Sequence, residues 1–212
     1  MSYGNTIFHA VTPLFACTLL SAMTMSEYSR ADEAKDASPP QSVLFDFDAK
    51  DAAERWGTVN DGVMGGRSEG QFRIKKNGVM EFYGNLSLEN RGGFASVRSK
   101  TGKLDLSGSE ALIMRIRGDG RSYYCNLYVP TKRIAYSYRA AFDTEAGRWQ
   151  EVRLPLESFR ATWFGRQQPG AGTIDAKNIK ALGLLLADKK AGPFKLEIDW
   201  VGTIAKDDSD SP

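Results

Sequence analysis

The chain has 212 residues, 42% of them hydrophobic, with a formal net charge of +2 and a mean hydropathy of −0.38. That leaves room for one domain with a sizeable core. The near balance of 28 basic and 26 acidic residues removes any electrostatic case for nucleic acid or an anionic membrane as partner.

In chain order, residues 1–31 read as a signal peptide. No charge precedes Glu27, and the apolar run "VTPLFACTLLSAM" leads to Ser29-Arg30-Ala31, a small-x-small cleavage site before Asp32. A mitochondrial transit peptide needs several arginines and fits less well. The expected address is secreted or periplasmic, with no stable membrane span once the leader is gone. The leader holds the single histidine, His9, and one of the two cysteines, Cys17. The domain that remains has Cys125 and no histidine. It is therefore barred from Ser-His-Asp and Cys-His catalysis, from an internal disulfide and from a Cys/His zinc site.

Residues 32–42, "DEAKDASPPQS", read as a polar linker. Alternation of apolar and polar residues then runs through 43–205, in about ten strands. The first run sets Val43, Phe45 and Phe47 against Leu44, Asp46 and Asp48. Asn77-Gly78 marks a hairpin, since both residues tolerate positive φ. Eight further runs follow from "GVMEFYGNLS" to "PFKLEIDWVGTI". Pro155–Phe159 and Asp175–Ile179 can each form one helical turn. Even spacing without a long amphipathic helix predicts a single antiparallel β-sandwich of jelly-roll type. The segment 206–212 reads as a disordered acidic tail.

Three clusters invite a functional reading. "DGVMGGRSEG" at 61–70 lacks the spacing of a Walker loop or a dinucleotide fingerprint, so it is no phosphate cradle. Gly62, Gly65 and Gly66, with Gly92 and Gly93 of "ENRGGF", read as structural glycines of a β-arch. Asp61, Arg67, Ser68, Asn90 and Arg91 are the groups that a rim of such loops would offer a partner. In the second cluster, Glu197 and Asp199, like Asp46 and Asp48, put two acids on one strand face. Such pairs need Lys or Arg partners or a hard cation such as structural calcium, and paired carboxylates of a glycosidase are the remaining reading. The third is an Arg/Tyr stripe. Arg115 and Arg117 oppose Leu112, Met114 and Ile116, while Tyr124, Asn126 and Tyr128 share one face and Ile134, Tyr136 and Tyr138 another. Aromatic and guanidinium planes can stack a sugar ring, although ordinary cross-strand packing gives the same pattern.

Several blocks together resemble the NADH:ubiquinone oxidoreductase (complex I) intermediate-associated protein 30 family. They are "WGTVNDGVMGGRSEG", "FYGNLSLENRGGFASVRS", "RGDGRSYY", Trp149, "FGR" at Phe164–Arg166 and "PFKLEID". The likeness runs from about Phe45 to Ile204, and its blocks add Asp119 and Arg166 to the candidate contact set. The chain departs from the family in reading Asn90-Arg91-Gly92-Gly93-Phe94 where the family usually has Asn-Asn-Gly-Gly-Phe. The resemblance implies a galactose-binding-like jelly roll without catalytic residues or cofactor, acting as an assembly factor through a protein partner such as a respiratory-complex subunit. Because the fold is shared with carbohydrate-binding modules, it also implies the alternative of a saccharide ligand on the Tyr/Arg face and the glycine loops.

Overall fold

A computed structural model describes residues 1, 40, 42–100, 102–131 and 136–206. The chain divides into two units, Met1–Asp36 and Ala37–Pro212, and the fold described is that of the second. The leader, nearly all of the linker, Ile134 and the tail at 207–212 lie outside the described residues.

Period-two alternation yields thirteen strands: β1 (Ser42–Phe45), β2 (Trp56–Thr58), β3 (Glu69–Ile74), β4 (Met80–Leu86), β5 (Ala95–Ser99), β6 (Ser109–Arg117), β7 (Ser122–Tyr128), β8 (Ser137–Asp143), β9 (Trp149–Pro155), β10 (Arg160–Trp163), β11 (Arg166–Gln167), β12 (Ala181–Leu186) and β13 (Gly192–Ala205). Each of the ten predicted runs contains a strand, and the two predicted helical turns are 3₁₀ turns at Leu156–Ser158 and Ala176–Asn178. The additions β2, β10 and β11 are two to four residues long. Such pieces are too short to show a period of their own.

The strands form two antiparallel sheets. One runs β3-β4-β13-β6-β9, with β1 also on β13, and the other runs β11-β10-β8-β7-β12-β5-β2. This is the sandwich that the alternation predicts. The inward faces meet in one core of Phe82, Leu112, Met114, Ile116, Leu196 and Ile198 against Val97, Tyr123, Cys125, Leu127, Leu182 and Leu184. Each fully buried side chain of this kind contributes about 1.5–3 kcal/mol. The run "ALGLLL" of β12 is apolar without alternation because all six of its residues are buried, on both faces of the sheet.

The outer face of the six-stranded sheet is a charge lattice. Lys75 bridges Glu81 (2.7 Å) and Glu197, Arg117 pairs with Glu197 at 2.6 Å, and Arg115 pairs with Asp199 at 2.5 Å. The Trp149 ring lies under both guanidinium groups, 4.9 Å from Arg115 and 4.8 Å from Arg117. Burial alone would raise the Glu197 pKa, but hydrogen bonds from Arg117 and Lys75 outweigh it and bring it to about 2. The acids that alternation places on one face of β13 are thus matched by cations. β1 does pair with β13, but the pairing stops at Phe45, before the exposed Asp46 and Asp48. Among the described residues no cluster of three or more His, Cys, Asp or Glu side chains has the geometry to hold a metal.

Candidate functional site

Asp61 ties the glycine loops together. It heads a 3₁₀ turn at Asp61–Met64, and its carboxylate is wholly buried. Oδ1 accepts from the Ser68 N–H at 2.8 Å. Oδ2 accepts from Ser68 Oγ (2.6 Å), the Gly93 N–H (2.6 Å) and the Phe94 N–H (3.2 Å). Burial would raise its pKa, yet the bonds from Ser68, Gly93 and Phe94 carry it below the ordinary 3.8. One carboxylate therefore fixes two loops that are more than 30 residues apart in sequence. At the surface above it, Arg67 and Glu89 join the same two loops through an exposed ion pair of 3.0 Å.

That carboxylate explains the glycines. A Cβ on Gly66 would lie 2.3 Å from Asp61 Cγ, and one on Gly92 would lie 2.6 Å from Asp61 Oδ2. Gly65 and Gly93 take positive φ, at 87° and 125°. Gly62 meets neither demand, since nothing lies within 4 Å of its would-be Cβ and its φ is outside the left-handed range. Gly66→Ala should therefore cost about 1–3 kcal/mol, as overpacking does. Gly62→Ala, three residues from Gly65 in the same motif, should stay within about 0.5 kcal/mol of the wild type. Thermal melting of the two variants side by side checks this, and equal losses would refute the close-approach account.

The loops stand over a cleft of about 860 Å³ on the outer face of the seven-stranded sheet. Its floor comes from the outward residues of β7, β8, β12 and β5, namely Tyr124, Asn126, Tyr128, Arg139, Leu185 and Arg98. Arg139 stacks over Tyr124 at 4.9 Å and Arg98 over Tyr128 at 4.8 Å. Its rim is apolar. Of the seven exposed large hydrophobic side chains among the described residues, five line this one cleft: Val63, Met64, Leu88, Trp163 and Phe164. Val63 is 74% exposed and Phe164 71%.

The rim is also where backbone strain collects. The non-glycine residues with positive φ among those described are Asn90 (54°), Arg91 (60°), Phe164 (44°) and Lys189 (63°). Phe164 and Lys189 line the cleft, and Asn90-Arg91 lie between Leu88 and Gly92, which also line it. Such conformations cost about 1–3 kcal/mol each and concentrate at binding surfaces.

The sequence matches the family model for complex I intermediate-associated protein 30 over residues 45–198. The chain belongs to this family. A mouse relative named complex I intermediate-associated protein 30, mitochondrial, is 31% identical over 181 residues, covering 76% of this chain and 55% of the relative. A Drosophila melanogaster relative of the same name is 31% identical over 182 residues, 76% of this chain and 62% of the relative. The match thus spans 55% and 62% of the length of these two relatives. Among solved structures, a family 11 carbohydrate-binding module of a Clostridium thermocellum cellulase superposes with a TM-score of 0.59 at 19% identity, over 80% of this chain and 96% of the module. The same module solved with a mixed-linked tetrasaccharide gives 0.58 at 18% identity, over 80% of this chain and the whole of the module. At that identity the likeness is one of fold.

Membership in the complex I intermediate-associated protein 30 family corrects the export reading. The mouse, Drosophila and Neurospora relatives are named as mitochondrial, which conflicts with a signal peptide and with a secreted or periplasmic address. The apolar run at the N-terminus has no basic n-region, so it supplies only the hydrophobic half of an export signal.

The structure also regroups the candidate residues. Asp61 and Ser68 face inward and hold the arch, leaving Arg67, Asn90 and Arg91 exposed on it. The Arg/Tyr stripe is split: Arg115 and Arg117 sit on β6 in the charge lattice, while Tyr124 and Tyr128 sit on β7 in the other sheet. Tyr138 points into the core and donates from its hydroxyl to the Thr173 carbonyl at 3.0 Å. Asp119 accepts from the Tyr123 hydroxyl (3.1 Å) and the Lys195 N–H (2.8 Å), and Arg166 is exposed on β11. The arginines that accompany the tyrosines are Arg98 and Arg139, which the sequence reading missed. Their parity in "ASVRS" and "YSYRAAF" was visible, as the polar members of alternating runs. The pair Trp163-Phe164, just before Gly165 in a polar stretch, was the legible sign of the rim.

Proposed function

We propose that this chain is a non-catalytic binding module that holds a protein partner, an intermediate of respiratory complex I assembly, in the cleft of its seven-stranded sheet. The observation that carries this is the ring of exposed apolar side chains, Val63, Met64, Leu88, Trp163 and Phe164, gathered round one concave surface. Exposed apolar groups gathered in this way mark protein interfaces, and aromatic anchors dominate their affinity. The name of the family's relatives supplies the class of partner. The saccharide alternative on the Tyr/Arg sheet face has less support, because sugar stacking there needs an open aromatic face. Tyr124 and Tyr128 already carry guanidinium groups on theirs.

The test is native electrophoresis of mitochondrial membranes from cells expressing the full tagged chain. The wild type should migrate with a complex I intermediate, and Trp163→Ala/Phe164→Ala should cut that fraction by about tenfold with an unchanged melting temperature. A double variant that co-migrates as well as the wild type would overturn the docking surface. Saturable calorimetric binding of a mixed-linked tetrasaccharide, lost in Tyr128→Ala, would favour the saccharide reading instead.

A further inference from the structure

The cleft has a chemical bias. Among the described residues its lining includes Arg98, Arg139 and Lys189 and not one Asp or Glu. The strand registers set Arg139, Asn126, Gly183 and Arg98 directly opposite one another across β8, β7, β12 and β5, so all four project from one face. The two arginines thus end a row of about 14 Å at the backbone, three strand spacings, with two short residues between them. Gly183 keeps this trough open: a Cβ there would come within 3.0 Å of Arg98 Cγ and 3.1 Å of Tyr128 Cε2.

Each guanidinium is half used. Arg139 Nε donates to Asn126 Oδ1 at 2.9 Å, and Arg98 Nε donates to Ser96 Oγ at 3.3 Å. Neither makes an ion pair among the described residues, and their Nη groups have no hydrogen-bond acceptor there. Elsewhere the partly buried arginines do find carboxylates: Arg115 with Asp199, Arg117 with Glu197 and Arg121 with Asp188. Burial, with Arg98 adding to it, holds the Arg139 guanidinium below its usual range against the opposing pull of Tyr128 and Tyr124. Two partly desolvated cations without a counter-charge cost free energy, which a ligand anion would offset.

We infer that the cleft receives a segment of its protein partner that places an Asp, Glu or C-terminal carboxylate between Arg98 and Arg139, flanked by apolar side chains that cover the rim. The inference rests on the protein-partner reading of the same cleft. A planar carboxylate matches the free Nη forks, and the apolar rim calls for flanking side chains that a free inorganic anion lacks.

Selection of a random displayed-peptide library against the full chain tests it. The enriched peptides should carry an acid with apolar neighbours. A synthetic peptide from that set should bind about tenfold or more weakly when its Glu is replaced by Gln. Arg98→Gln or Arg139→Gln should abolish the preference for Glu over Gln and keep the apolar preference, whereas Trp163→Ala should weaken both peptides alike. If a Gln variant fails to melt cooperatively, Arg139→Lys and Arg98→Lys, which keep the charge and remove the fork, should narrow the preference for Glu over Gln without abolishing it, and an unchanged preference in both would overturn the fork. Peptides that depend on Trp163 without favouring an acid would overturn this inference and leave the docking reading standing. No peptide dependent on Trp163 would overturn both. Inorganic phosphate binding at Arg98 and Arg139, with no acidic peptide selected, would overturn the carboxylate.

Discussion

Asp61→Asn should lower the stability of this domain by about 3–5 kcal/mol, because at least two buried donors lose their acceptor at about 1–3 kcal/mol each. Four donors converge on the carboxylate: the Ser68 N–H and hydroxyl and the N–H groups of Gly93 and Phe94. An amide of the same shape offers one acceptor oxygen and turns an N–H₂ toward donors. At roughly 2–4 °C per kcal/mol for a domain of this size, the melting temperature should fall by about 6–20 °C. Hydrogen exchange at Gly93 and Phe94 should accelerate beyond the global change, because these amides lose their acceptor. The sign with pH follows from the depressed pKa. The carboxylate's contribution is complete above its ordinary 3.8 and disappears as pH falls through the lower folded value, so the gap between wild type and variant should narrow in acid. A variant that melts with the wild type at neutral pH would remove Asp61 from the centre of the arch.

Arg121→Met should have an effect of similar size for a different reason. Arg121 precedes β7, and its guanidinium holds Asp188 through two bonds of 2.9 and 2.7 Å while donating to the Pro193 carbonyl at 3.0 Å. Both side chains are largely buried. The hydrogen bond to Asp188 raises the Arg121 pKa, and Asp188 is held low against its own burial. The segment they clamp is the passage from β12 in one sheet to β13 in the other. Removing the cation leaves a buried carboxylate uncompensated, at a cost of about 3–5 kcal/mol. Arg121→Lys should recover little, because a point charge cannot reproduce the fork. Adding Asp188→Leu to Arg121→Met should restore much of the loss, since an apolar pair leaves nothing unpaired. Denaturant unfolding of the three variants measures this, and a single variant within about 1 kcal/mol of the wild type would refute the clamp.

Much of this molecule was legible from local pattern. Alternation in "ALIMRIR" puts Leu112, Met114 and Ile116 on one face and Arg115 and Arg117 on the other, and the core takes the first three. The same rule gave the faces of Tyr124, Asn126 and Tyr128. Parity is a property of the pleat and needs no neighbour. Which sheet a strand joins is a different matter. β6 and β7 are consecutive in sequence but lie in opposite sheets, so residues that look like one stripe end on opposite outer surfaces of the sandwich. Asp61 shows a second limit: a charged residue heading a glycine-rich loop reads as exposed. It is buried because Gly93 and Phe94, from a distant part of the chain, bring their N–H groups to it.

By itself the sequence determined an all-β sandwich, the family, the absence of histidine from the domain, and the glycine-rich motif that marks the arch. Those follow from composition, period and residue type, which act within a few residues. Only the tertiary structure decided that the motif's acid is a buried tie, that five apolar side chains from separate loops surround one cleft, and that Arg98 and Arg139 face each other across Asn126 and Gly183. Strand order and register set those juxtapositions, and they depend on pairings between segments tens of residues apart that no local pattern encodes.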